Sequence, residues 1–257
     1  MGFIPRTQFG KANPELETNL LYYFSESPKS RWRPIIEQIF PSLLNEIKET
    51  DSKEKSLEIC SRYVQKGTLE HEKEIEEAIL FYNQEWLQLG PVYFRELADH
   101  FETAWPEDHP IIEGSVSILP VYPRFLDKFS FFVGFKNFDK GREIIAHEIL
   151  HFLWFKKWAE VFPEHKRSEY ESPHLIWRLS EIMDPIILQC HPKIAALIKP
   201  KNWGYSSFKE ISIEGVSMTD YFKKIYLDHQ QRSSSFEEIL RNVWQETNAH
   251  RIEIEKF

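Results

Sequence analysis

Two histidines four positions apart, His147 and His151, with Glu148 directly after the first, have the residue types and spacing for chemistry. On a helix of 3.6 residues per turn, positions four apart stand one turn apart on the same face. Two imidazole nitrogens can then reach one divalent ion at zinc–nitrogen distances of about 2.0–2.1 Å. Glu148 projects beside that ion, where a carboxylate can take a proton from a bound water and later pass it on. Zinc makes this feasible near neutrality, because it lowers the pKa of a bound water from ~15.7 to about 7.

The neighbours sharpen the reading. Ile144, Ile145, Ala146, Ile149, Leu150, Phe152 and Leu153 surround the polar triplet, so the helix is apolar nearly all round and is expected to be buried. Two His and a Glu inside such a helix would each cost several kcal/mol unless paired or ligated, and a metal removes that cost. The competing reading is a pair of hydrogen-bonded core histidines. The stretch Ile145-Ala146-His147-Glu148-Ile149-Leu150-His151-Phe152-Leu153 resembles the zinc helix of the zincin metallopeptidases. That resemblance implies one Zn2+ ion, a peptide or protein substrate, and a small sheet before the helix whose edge strand pairs with extended substrate. Glu148 would then act as general base on the water in the fourth metal position.

Catalytic zinc usually has three protein ligands plus water. The metzincin subgroup places Gly and His three and six residues after the second His; here those positions hold Trp154 and Lys157, which excludes it. The gluzincin subgroup draws a Glu from a following helix. Ser172-Pro173 reads as a helix start, with Leu175–Leu188 periodic behind it. Glu181 sits inside that helix among apolar residues and is the expected third ligand. Asp184, three residues on, is the candidate to hold the outer nitrogen of a zinc-binding His; Pro185 at this turn leaves an exposed Asp-Pro pair as the alternative. The competitor for the third position is His165, since Spartan-type proteases acting on DNA–protein crosslinks use a third His at a comparable distance. Its surroundings, Pro163 to Ser168, read as a solvated loop; Glu169 and Glu171 are further alternatives. For the developing oxyanion the candidates are Tyr170, His174, Arg178 and Tyr205. Gly134 marks either a close approach of substrate backbone or a bulge, and Trp154 and Trp158 are expected in the core.

The elements that must position these groups follow from periodicity. Helices are expected from Pro14, over 30–49, over Leu57–Gln65 and Glu70–Leu89, and again over about Pro91–Trp105. The period then changes: Val116–Tyr122 and Phe129–Phe135 read as two strands joined by a loop. Helical signals resume at Asp139 and run to the end, with interruptions near 163–172 and 199–215. The fold class expected is α+β, predominantly α-helical, with a zincin-like small sheet and active-site helix. Its division would be 1–110 as a helical N-terminal region and 111–257 as the catalytic region.

Composition bounds the rest. With 32 Lys+Arg against 40 Asp+Glu the net charge of the 257-residue chain is −8, which argues against broad electrostatic binding to nucleic acid or anionic lipid. Aromatics make up 15 % of the chain and can supply a core without a disulfide or structural metal. The two cysteines, Cys60 and Cys190, form no metal or redox motif and read as buried hydrophobes in a reducing compartment. No secretory signal, myristoylation signal or membrane span is visible, so the cytoplasm is the expected location. There is no serine-nucleophile elbow, Walker loop or dinucleotide fingerprint. The expected function is a zinc-dependent peptidase. The alternatives are a non-catalytic protein of the same fold with structural or no zinc, and a Spartan-like regulatory protease linked to DNA. The sequence sets neither the substrate nor the oligomeric state.

Overall fold

The structure, a computed structural model, describes residues 2–26, 32–50, 52–201, 204 and 207–256. It is predominantly helical with a small mixed sheet, an α+β arrangement. The chain forms two compact units: Arg6–Gln88 with Ile111–Arg142, and Met1–Pro5 with Leu89–Pro110 and Glu143–Phe257. They do not follow the expected boundary at 110/111, because strands far apart in sequence pair within the first unit.

That unit holds a sheet of β1 (Arg6–Lys11), β2 (Ile111–Ser117), β3 (Arg124–Phe125) and β4 (Ser130–Gly134), in the order β1-β2-β4-β3. β1 and β4 both run parallel to β2, and only β3 is antiparallel to its neighbour. The expected pair of strands is therefore corrected in its bounds: the first lies five residues earlier, and the two are parallel neighbours. The misleading signal came from Leu119 and Val121, which are buried in the core but lie beyond the strand end. β1 was not anticipated because only Phe9 of its six residues is buried. At its outer edge the Asn83 side chain accepts from the Phe9 amide and donates to the Phe9 carbonyl, both at 3.0 Å, pairing the middle of the strand.

Helices α1 (Pro14–Glu26), α2 (Arg33–Ile39), α3 (Leu43–Lys48) and α4 (Lys53–Glu70) precede α5 (Glu72–Phe101). Leu21, Phe24, Ile36, Leu43, Leu44, Cys60 and Val64 pack with Phe132 of the sheet into one core. The single helix expected over 30–49 is two, α2 and α3, parted where Phe40 leaves helical geometry before Pro41. The break expected before Pro91 is absent, and α5 runs through it. Pro91 has no amide for the Leu87 carbonyl, but both residues are exposed, so water can serve that carbonyl instead. Gly134 sits in regular register opposite Ser117 with no bulge; a Cβ there would stand 2.5 Å from Tyr122 Oη, so glycine makes room for that ring.

A buried carboxylate ties α1 to the end of β2. Glu17 accepts from Ser117 Oγ at 2.5 Å and from the Ile118 amide at 3.1 Å, while being 2 % exposed. Glu17→Ala leaves two buried donors unanswered and is expected to cost about 1–3 kcal/mol in denaturant unfolding. Burial raises the Glu17 pKa against the lowering effect of its two hydrogen bonds. The folded chain therefore binds more protons than the unfolded one between the ordinary carboxylate value and the raised one. The stability this adds is complete below the unfolded value and is lost as pH rises through the folded value. Glu17→Gln should flatten that slope.

The second unit is built around α6 (Phe138–Val161, from Glu143 onward) and α7 (Leu175–Cys190). α7 is buried over most of Ile176–Leu188 and packs against α8 (Pro192–Ile198), α10 (Met218–Gln231), α11 (Phe236–Ala249) and α12 (Arg251–Ile254). Between them lie α9 (Ser207–Glu210) and the two-residue strands β5 (Ser212–Ile213) and β6 (Val216–Ser217). The expected start of α7 at Ser172-Pro173 moves to Leu175, with His174 as N-cap. Among the described residues no helix is long and apolar enough to cross a membrane.

Candidate metal centre

Helix α6 starts where Asn137 Oδ1 accepts from the Lys140 amide, the N-cap device of short polar side chains. From Ile144 to Phe155 every residue is buried, so the helix has no solvent face on which to put its polar groups. His147 and Glu148 are each 6 % exposed and His151 is fully buried. The second helix, α7, brings Glu181 at 3 % and Asp184 at 0 %. The expected Asp184-Pro185 alternative, an exposed pair, is overturned: both residues are buried inside an unbroken helix. Pro185 still has a local effect, since it cannot give the Glu181 carbonyl its helical amide.

These side chains meet. His147 Nε2 and His151 Nε2 are 3.0 Å apart. Glu181 Oε2 lies 3.4 Å from the former and Glu181 Oε1 3.5 Å from the latter. On the other side of the rings, Asp184 Oδ2 is 2.8 Å from His151 Nδ1 and 3.8 Å from His147 Nδ1. Glu148 Oε1 stands 3.9 Å from His147 Nε2. His147, His151 and Asp184 form a buried group that can hold a metal ion.

The shell around the cluster fixes its geometry. The His151 ring stacks on Phe155 (centroids 5.7 Å apart), and Phe155 stacks on Tyr170 (4.8 Å). Tyr93 Oη donates to the Ala146 carbonyl at 2.6 Å, one residue before His147. Burial, and after it the charge of Asp184, push the Tyr93 phenol well above its ordinary pKa and keep it a donor. Glu143, one turn before His147 and 6 % exposed, accepts from the Lys201 amide at 2.6 Å. The sequence reading singled out neither Tyr93 nor Glu143. Glu143 had a signal, its i,i+4 relation to His147; Tyr93 had none.

Not every expected residue joins the cluster. His165 is held elsewhere: its Nδ1 accepts from Trp158 Nε1 at 3.0 Å, and its ring stacks on Trp158 and Phe162. Glu169 is engaged with the Lys166 amide in a 3-10 turn, and Glu171 is exposed. Arg178 donates to the Pro173 and Ile254 carbonyls. His174 is exposed at the start of α7, seven residues before Glu181, about 10 Å along the helix axis. Tyr170 is buried as part of the aromatic stack. Tyr205 lies outside the described residues. Trp154 and Trp158 are fully buried in the core.

Compared with known proteins, the chain matches no family model, no curated protein and no solved structure. What the cluster does is therefore read from its own geometry.

Proposed function

We propose that the cluster binds one zinc ion through His147, His151 and Glu181, and that the protein is a metal-dependent hydrolase, a peptidase of gluzincin type. The observation that carries this is the approach of one carboxylate to both rings: His147 Nε2 and His151 Nε2 are 3.0 Å apart, with Glu181 Oε2 3.4 Å from the first and Glu181 Oε1 3.5 Å from the second. Three donors bonded at about 2.0–2.1 Å to a tetrahedral ion are separated by about 3.3 Å. The Nδ1 side fits less well, with Asp184 at 2.8 and 3.8 Å. The shorter of these is a close ion-pair contact that lacks the alignment of a hydrogen bond. Asp184 is therefore assigned to the back of the His151 ring, where a carboxylate on the Nδ1 side favours the tautomer that leaves Nε2 free for the metal.

Zinc, when bound, supplies a Lewis acid for a carbonyl oxygen and lowers the pKa of water. The chain supplies the rest. Glu148, with Oε1 3.9 Å from His147 Nε2, is the group assigned to accept the proton from an attacking water and return it to the leaving amine. The side chains of His147 and Glu148 keep 7 and 8 % exposure, against 0–3 % for His151, Glu181 and Asp184, which supports an approach from the Glu148 side. The peptide as substrate rests on the resemblance of residues 145–153 to the zincin helix.

The same low exposure favours a second reading, in which the ion is structural and the protein does not hydrolyse anything. Metal analysis of chain purified without added metal tests the common premise: about one zinc per chain is expected. Glu181→Ala should lose most of it, and His165→Ala should keep it. Full zinc in Glu181→Ala would overturn the ligand assignment.

A further inference from the structure

A second pair of histidines lines an open pocket of about 310 Å³ in the same unit, formed by His100, His191, Pro192, Gln230, Phe236 and Ile239 among others. Their rings lie 4.7 Å apart, centroid to centroid, close to the 4.4 Å of the His147–His151 pair. The groups at their backs are of the opposite kind, a carboxylate against hydrogen-bond donors, and this decides what each pair can do.

His191 caps α8: its Nδ1 accepts from the Ile194 amide at 3.3 Å. A neutral imidazole has one lone pair in the ring plane and one N–H. That acceptance uses the lone pair and leaves the proton on Nε2. His100 Nε2 is 3.2 Å from Tyr226 Oη, and Tyr226 Oη receives the Gln230 amide NH2 at 2.9 Å. With the Gln230 amide oriented so, the buried phenol sends its own proton to His100 Nε2, since otherwise that hydrogen would have no acceptor. His100 then carries its proton on Nδ1. Burial holds the His100 pKa down to about 3 and that of His191 below its ordinary value, so both rings are neutral at pH 7.

At His147 and His151 a carboxylate stands behind the rings and frees lone pairs for a cation. At His100 and His191 donors stand behind the rings and consume the lone pairs. The second pair is thus built to give hydrogen bonds, not to ligate. Gln230 gives one N–H of its NH2 group to Tyr226 and keeps Oε1 as an acceptor, Ser233 and Ser234 add to the polar lining, and Pro192, Phe236 and Ile239 supply apolar walls. A pocket of this volume stands at the small end of ligand sites. We infer that it binds a small neutral molecule carrying an amide on an apolar ring or chain: the carbonyl oxygen takes the histidine N–H groups and the amide N–H meets Gln230. An anion is disfavoured because neither ring offers a positive charge.

The test uses the full, zinc-loaded chain labelled with 15N and follows the histidine ring nitrogens at pH 7.5 during titration with benzamide, benzoate and zinc. In the free protein His100 should report the Nδ1–H form and His191 the Nε2–H form. Benzamide should shift both saturably, benzoate should bind at least about tenfold more weakly, and extra zinc should leave both unmoved. His191→Asn keeps an acceptor for the Ile194 amide but removes the ring donor, and should weaken benzamide about tenfold without loss of helix signal. Glu148→Gln should bind benzamide as the parent does, separating this pocket from the metal centre. An Nε2–H form at His100, tighter binding of benzoate, zinc-induced shifts at these two rings, or no benzamide shift at tens of millimolar would overturn the inference.

Discussion

Glu148→Gln is expected to retain its zinc and to hydrolyse peptides about 10²–10⁴ times more slowly than the parent chain, the range for loss of a positioned acid–base group. Glutamine has the same shape and fits the same buried place, where Glu148 is 6 % exposed, so folding and metal content should be unaffected. What it lacks is a carboxylate able to accept a proton. The measurement is steady-state cleavage of a mixed peptide library, with metal content determined on the same preparations. Activity within a few-fold of the parent would remove Glu148 from the chemistry. A zinc-replete parent that cleaves nothing would instead leave the structural reading of the ion.

Removing the metal is expected to have the largest effect on stability. Glu148, Glu181 and Asp184 are all 6 % exposed or less and crowd around the rings of His147 and His151. A divalent ion offsets most of that charge; without it, like charges face one another in a medium that screens them poorly. Metal binding is then folding free energy, and stripping it should cost several kcal/mol. For a chain of this size each kcal/mol moves Tm by about 2–4 °C, so a fall of about 10 °C or more is expected. Scanning calorimetry with and without a chelator reads this directly, and one equivalent of zinc should reverse it. Glu181→Ala, already short of metal, should respond little. A chelator that removes the zinc yet leaves Tm unchanged would mean that the cluster satisfies itself with protons.

The meeting of His147 and His151 with Glu181 and Asp184 was legible because burial and period act locally. Four-residue spacing fixes a shared helix face, and an acid flanked by Ile182, Met183 and Leu179 must find a partner. Pairing partners were less legible, because they depend on residues far away. β1 carries a single buried side chain, and its strand character comes from β2, which lies a hundred residues later. Pro91 reads as a break in any local window, whereas exposure on that side of α5 lets the helix continue. His165 looked solvated because its polar neighbours are; nothing local announces that Trp158 and Trp244 enclose its ring.

The parallel pairing of Arg6–Lys11 with Ile111–Val116 joins strands about a hundred residues apart in the chain. Closing so long a loop costs entropy before any contact repays it. The first strand has a holding partner meanwhile, the Asn83 side chain, which grips both backbone groups of Phe9 and lies between the two strands in sequence. During synthesis that amide leaves the ribosome well before Ile111, so the strand can wait docked on a helix until its neighbour arrives.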